Sequence, residues 1–296
     1  MNVLIQSAEE ISIDKQFNIL LEWLNKNPRL QDRRNIRNLL LHEEKEKLLQ
    51  RFLSNEEMLS EQIRLDCLPI FLDNKTKSFS FHRGSNNQKI IKIIFKMLTQ
   101  YSPNIEILDL KNLEIHHENK EALKALLRKL KHLKSLRVPC GDLGCTIRQI
   151  LLREDFTRQE KIIKTQLQKI EYIYGFWLSE SDCAKLLNIL PNLKSFGLNQ
   201  SFGSFVNYYP KTLNNIIQFS DRYTNLSTLE QFIKFCPNAE EISLILPQKG
   251  VIENLWRFPL LTRINLHFED PSHVTELVHL FKITAGRIIQ LNYVPN

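Results

Sequence analysis

The chain has 296 residues, of which 43% are hydrophobic and 25% charged, and a formal net charge of +7. That length is enough to bury a sizeable core, and the composition excludes a disordered chain. Only eight glycines are present, with neither G-x-x-x-x-G-K-S/T nor G-x-G-x-x-G among them, which excludes the glycine-rich phosphate loops. The greasiest run, Ile90 to Leu98, is broken by Lys92 and Lys96, so no membrane-spanning helix is expected. The first residues, MNVLIQSAEE, lack the basic-then-apolar pattern of a secretory signal. Five sparse cysteines (67, 140, 145, 183 and 236) read as reduced thiols of a cytoplasmic or nuclear protein rather than a disulfide framework.

Helical spacing opens the chain, at Phe17 to Asn27 and again at Ile36 to Leu53. Short strands then alternate with helices. The strand-like segments begin with TKSFSF at Thr76, PNIEILDL at Pro103, HLKSLRV at His132 and KIEYIYG at Lys169. They continue with PNLKSFGL at Pro191, LNNIIQF at Leu213, PNAEEISL at Pro237, PLLTRINL at Pro259 and RIIQLNY at Arg287. Between them, helices are predicted over Gln88 to Tyr101, Lys120 to Leu130, Ser181 to Leu190, Leu226 to Phe235 and Pro271 to Ile283. Asp270-Pro271 is an N-cap followed by proline at the first helical position, and Ser227 is placed to cap the helix before it. The prolines at 103, 191 and 237 end helices and hold the chain extended before a strand.

Aligned on their first apolar position, these segments start at Thr76, Ile105, Leu133, Ile170, Leu193, Leu213, Ala239, Leu261 and Ile288. The mean step is about 26 residues, within the period of leucine-rich repeats. The longest step carries VPCGDLGCTIRQILLREDFTRQEKIIKTQLQ, read as an insertion or an extended convex segment. The period has a physical cause: a strand must be followed by a return path, usually a helix, before the next parallel strand can lie beside it. It also accounts for 47 leucines and 31 isoleucines, since each unit needs aliphatic residues at fixed strand positions and along one helix face.

These segments resemble the irregular intracellular leucine-rich repeats of F-box/leucine-rich-repeat substrate receptors, over Thr76 to Asn296, although no F-box is found. The resemblance implies an α/β fold: a leucine-rich-repeat solenoid of eight or nine repeats over 76–296, with an all-α N-terminal cap or adaptor-binding segment over 1–75. Position 9 of such repeats is often Asn or Cys. Here it is Leu113, Ser201, Pro247 and Glu269, so the asparagine ladder that ties neighbouring turns is expected to be missing. The implied function is non-catalytic recognition of a protein partner on the concave sheet. One alternative is a substrate receptor of a cullin-RING ubiquitin ligase that binds its adaptor through residues 1–75. Another is nucleic-acid binding through the basic charge.

No catalytic constellation stands out, and neither a cofactor nor a metal is expected. His116-His117 are adjacent and so point to different sides, and Cys140 and Cys145 lack the second ligand pair that zinc requires. In L-x-x-L-x-L-x, positions 3, 5 and 7 project onto the open sheet face. On that register the partner-binding candidates are Arg137, Tyr172, Tyr174, Phe176, Asn199, Phe219, Arg263 and His267, with the aromatics as anchors and the arginines as charge readers. The basic runs Lys129 to Lys134 and Arg33 to Arg37 fall on helices or loops among acids, which argues against nucleic acid.

Overall fold

Amphipathic spacing becomes helix, and alternating aliphatics become strand, along most of the chain. The computed structural model describes residues 13–26, 45, 48–49, 68–80, 88–111, 113, 116–138, 142–153, 157–176, 180–198, 212–268 and 270–295. The chain forms two compact units, residues 1–133 with 141–143 and residues 134–140 with 144–296.

In the first unit, α1 (Ile13–Lys26) buries Phe17 and Leu20. The predicted helix over Ile36 to Leu53 lies almost wholly outside the described residues. Its Lys45 is described, and the ammonium meets the Asp73 carboxylate at 3.0 Å with both side chains 11% exposed. Asp73 also organises the turn into β1 (Ser78–Ser80) by accepting from the Lys75 N–H at 2.9 Å and the Thr76 hydroxyl at 3.3 Å. Helix α2 (Gln88–Tyr101) buries Ile91, Ile94, Phe95 and Leu98. Strand β2 (Ile107–Asp109) then runs parallel to β1 with Leu108 opposite Phe79. Helix α3 (Lys120–Lys129) packs on α2 and buries Leu123, Leu126 and Leu127.

The second unit contains β3 (Ser135–Arg137), β4 (Tyr172–Phe176), β5 (Ser195–Leu198), β6 (Gln218–Arg222), β7 (Glu241–Ile245), β8 (Arg263–Phe268) and β9 (Gln290–Pro295). Each pairs in parallel with the next, so order in space follows order in the chain. Between β3 and β4 the long step folds into two helices, α4 (Asp142–Leu152) and α5 (Arg158–Leu167). Thr157 and Glu160 close a reciprocal capping box at the start of α5. Among the described residues the later returns are α6 (Glu180–Ile189), α7 (Leu226–Phe235), a 3₁₀ helix (Ile252–Arg257) and α8 (Ser272–Thr284). Asn225, not Ser227, caps α7, its side chain accepting from the Thr228 N–H at 2.8 Å. Asp270 serves α8 by accepting from the Ser272 N–H at 2.8 Å, which holds its carboxyl below the usual range.

Leu136, Ile173, Ile242 and Ile264 occupy equivalent places on β3, β4, β7 and β8, and all are buried. Phe219 joins this row: it lies opposite Ile242, is fully buried, stacks on Phe232 at 4.3 Å and meets Phe258 at 5.8 Å. The unit around β6 therefore starts at Ile216 rather than Leu213. That makes the steps from Leu193 to Ile216 and from Ile216 to Ala239 both 23 residues.

Backbone bonding repeats with the same period. The position-2 carbonyl of one turn accepts two N–H groups from positions 2 and 3 of the next. Lys134 does so from Glu171 and Tyr172, Glu171 from Lys194 and Ser195, and Lys194 from Ile217 and Gln218. An asparagine ladder does exist, one residue ahead of position 1 instead of at position 9. Asn192, Asn215 and Asn238 donate their side-chain amides to the carbonyls of Gln168, Pro191 and Asn214, at 3.2, 3.0 and 2.9 Å. Asn104 does the same to Asn74 in the first unit at 2.8 Å. This gives the asparagine of the recurring Pro-Asn pair its structural role. Arg287 takes the place in the last turn, its guanidinium donating to Pro259 at 3.3 Å.

Candidate functional site

Alternation along each strand sends positions 1, 4 and 6 into the core and leaves 3, 5 and 7 on the opposite face. In the second unit that open face carries a continuous row of polar side chains. At one end the Arg137 guanidinium lies over the Tyr174 ring, 5.1 Å from its centroid. The Tyr174 hydroxyl shares a 2.7 Å hydrogen bond with the buried Ser195 hydroxyl and donates to Gln218 Oε1 at 3.3 Å. Gln218 donates through Nε2 to Glu241 Oε1 at 2.8 Å. The same oxygen accepts from Asn265 Nδ2 at 3.0 Å, while Arg263 Nε meets Glu241 Oε2 at 3.2 Å. Asn292 completes the row by donating to Asn265 Oδ1 at 2.6 Å. Six neighbouring strands, β4 to β9, are thus stitched on their open face by side chains at positions 3 and 5.

Two consequences follow for the chemistry of this face. Its side chains are held by one another, so their rotamers are set before anything binds. Burial also pushes the Tyr174 phenol up, against the opposing pull of the Ser195 hydrogen bond and the Arg137 charge.

The residues expected from the sequence divide as follows. Arg137, Tyr172 and Tyr174 lie together on β3 and β4, half-buried. The two helices of the long step do not seal the tyrosines off from solvent. Arg263 and His267 lie together on β8, and Arg263 is engaged with Glu241 rather than standing alone. Phe176 sits beyond a bulge: Tyr174 pairs with Gly197 but Phe176 with Leu198, so the register slips by one at Gly175. The strict alternation that placed Phe176 on the open face therefore stops at Tyr174, and its side chain lies outside the described residues. Asn199 also lies outside them. Phe219 is a correction: the three-residue register error at Leu213 assigned a core ring to the open face. The same error hid Gln218, the link between Tyr174 and Glu241. Placing the segment on the Phe196 and Ile242 register is the signal that would have found it.

The other sequence candidates give no site. His116 and Glu118 are exposed at a 3₁₀ turn (His117–Asn119), where the His116 N–H donates to Gln88 Oε1. Cys140 lies outside the described residues. His273 is buried, with Nδ1 3.3 Å from Glu276 and its ring edge-on to Phe268, while His279 is exposed. Among the described residues no three His, Cys, Asp or Glu side chains converge as a metal ion would need. No helix of these residues is long and apolar enough to cross a membrane.

No family model matches the sequence, and no curated protein matches it. Among solved structures, the chain is similar to the leucine-rich repeat-containing protein LegL7 from Legionella pneumophila. The identity is 12% and the TM-score 0.43, over 75% of this chain and 84% of that one.

Proposed function

We propose that the chain is a leucine-rich-repeat solenoid that recognises a protein partner, without catalysis, on the open face of its parallel sheet. Residues 1–75 act as a helical cap on the first repeat. The observation that carries the reading is the hydrogen-bonded row from Tyr174 to Asn292. A surface whose polar groups are already ordered loses little side-chain entropy when a partner docks. The half-buried tyrosines beside Arg137 are of the residue types that concentrate binding energy. The Lys45–Asp73 ion pair, nearly buried within 1–75, holds the helical segment against the turn that leads into β1, as a cap requires.

The experiment compares the wild-type chain with a Tyr172→Ala, His267→Ala double variant in affinity capture followed by mass spectrometry, with circular dichroism as the folding control. Partners that disappear from a folded variant support the reading. A folded variant that keeps every partner at undiminished yield overturns it.

A further inference from the structure

The charge on the open face is unbalanced. At positions 3, 5 and 7 of β3 to β9 it holds three arginines, Arg137, Arg222 and Arg263, against one carboxylate, Glu241. That carboxylate is already engaged by Gln218, Asn265 and Arg263. Arg263 nevertheless keeps 44% of its side chain in solvent. Arg222 ends β6, is exposed, and lies 4.9 Å above the ring of Tyr223. The ring restrains the guanidinium by contact, and a guanidinium presents parallel N–H groups to a carboxylate.

Tyr223 closes this corner beside Arg222. It is 51% exposed and sits at φ 62, a left-handed conformation that costs a residue with a side chain about 1–2 kcal/mol. Leu246, at the same place in the next turn, takes the same conformation at φ 51, so the bend that follows the strand belongs to the repeat.

We infer that the open face binds an extended acidic segment of a partner protein, lying across β6 to β8 with carboxylates on Arg222 and Arg263. The inference rests on the recognition reading above and adds the chemistry of the partner. Two strand spacings across the sheet and four residues along it put the two arginines about 16 Å apart, or about five residues of extended chain. The ligand therefore carries acidic side chains about five residues apart, and between them it crosses β7 near Ser243.

The test is fluorescence anisotropy on the full chain with three fluorescein-labelled peptides of one length: one with Glu at that spacing, one neutral and one basic. A single-stranded oligonucleotide of matching charge is the fourth probe. The acidic peptide is expected to bind, to weaken as salt rises, and to lose at least about tenfold in affinity in an Arg222→Glu, Arg263→Glu variant. Arg222→Lys alone, which keeps the charge without the planar fork, is expected to lose part of it. Unchanged binding of the acidic peptide to the charge-reversed, folded variant overturns the inference. So does tighter binding of the oligonucleotide. Preference for the neutral or basic peptide, abolished by Tyr172→Ala, overturns the acidic class but leaves the recognition reading standing. No binding by any probe, together with partner capture unaffected by Tyr172→Ala and His267→Ala, overturns both.

Discussion

Tyr174 is the residue on which the open face turns, because its ring supports Arg137 and its hydroxyl reaches two further strands. Tyr174→Phe keeps the ring and removes both hydrogen bonds, one of them to a buried serine. The expected cost is about 1–2 kcal/mol in denaturant unfolding. Its titration has a defined sign. The folded-state pKa is raised above the usual 10.0 by burial, so the stabilisation is fully present below that pH and is lost as pH rises through the higher folded value. Absorbance of the tyrosinate should accordingly show a late-ionising component that Tyr174→Phe deletes. Cys236 is the opposite kind of residue, inert by design of its surroundings. Burial pushes its thiol up to about 12, so a native-state alkylation experiment at mildly alkaline pH should leave the Cys236 peptide unmodified until the protein unfolds. Modification at the same rate with and without denaturant would contradict the packing described.

At the scale of elements, helix ends offer single bonds whose removal can be tested. Asn225→Ala removes the cap of α7 and should cost about 1 kcal/mol. The buried Glu276 of α8 accepts from the N–H groups of Gly250 at 2.9 Å and Ile252 at 3.1 Å, capping the 3₁₀ helix from another element. Glu276→Ala leaves two donors bare and should cost about 2–3 kcal/mol. Ala285 ends α8 at φ 47 and is exposed, a position glycine fills without a Cβ penalty. Ala285→Gly should therefore raise stability by about 0.5–1 kcal/mol, and a fall in melting temperature would count against the left-handed cap.

The helices over 88–101 and 226–235 were legible to the residue because aliphatic side chains at helical spacing must share one face. The two helices of the long step were less so. Their polar stretch hid the Thr157–Glu160 capping box that was present in the sequence. The register around β6 is ambiguous in the sequence for a concrete reason. Leu213 and Ile216 both offer a plausible first position, and Asp221, a buried acid bonded to Thr224 at 2.6 Å, stands where an aliphatic was sought. Strand pairing with Phe196 and Ile242 settles which is right, the ring of Phe219 stacks on Phe232 in the core, and Phe219→Ala should cost about 3–5 kcal/mol.

For the whole molecule, the alternation of strand and helix was readable from the recurring Pro-Asn segments, and with it the class of fold and the open face. What joins the positions of that face was not readable. A row such as Tyr174, Gln218, Glu241 and Asn265 depends on which residues become neighbours across strands, and a one-residue bulge at Gly175 is enough to remove Phe176 from the series. The asparagine ladder shows the same limit from the other side. Its residues were in plain view within the repeated segment, but their partners are carbonyls some two dozen positions earlier. That ladder makes the turns interchangeable. Asn215 and Asn238 each use the backbone of the preceding turn in the same way. Excising residues 215–237 joins Asn214 directly to Asn238, whose amide then meets Pro191 and seats β7 beside β5. The shortened protein should fold with a cooperative melt, whereas a deletion of half that length should not. A gene for this chain could gain or lose the turn between Leu193 and Ala239 as a unit and leave the ladder unbroken.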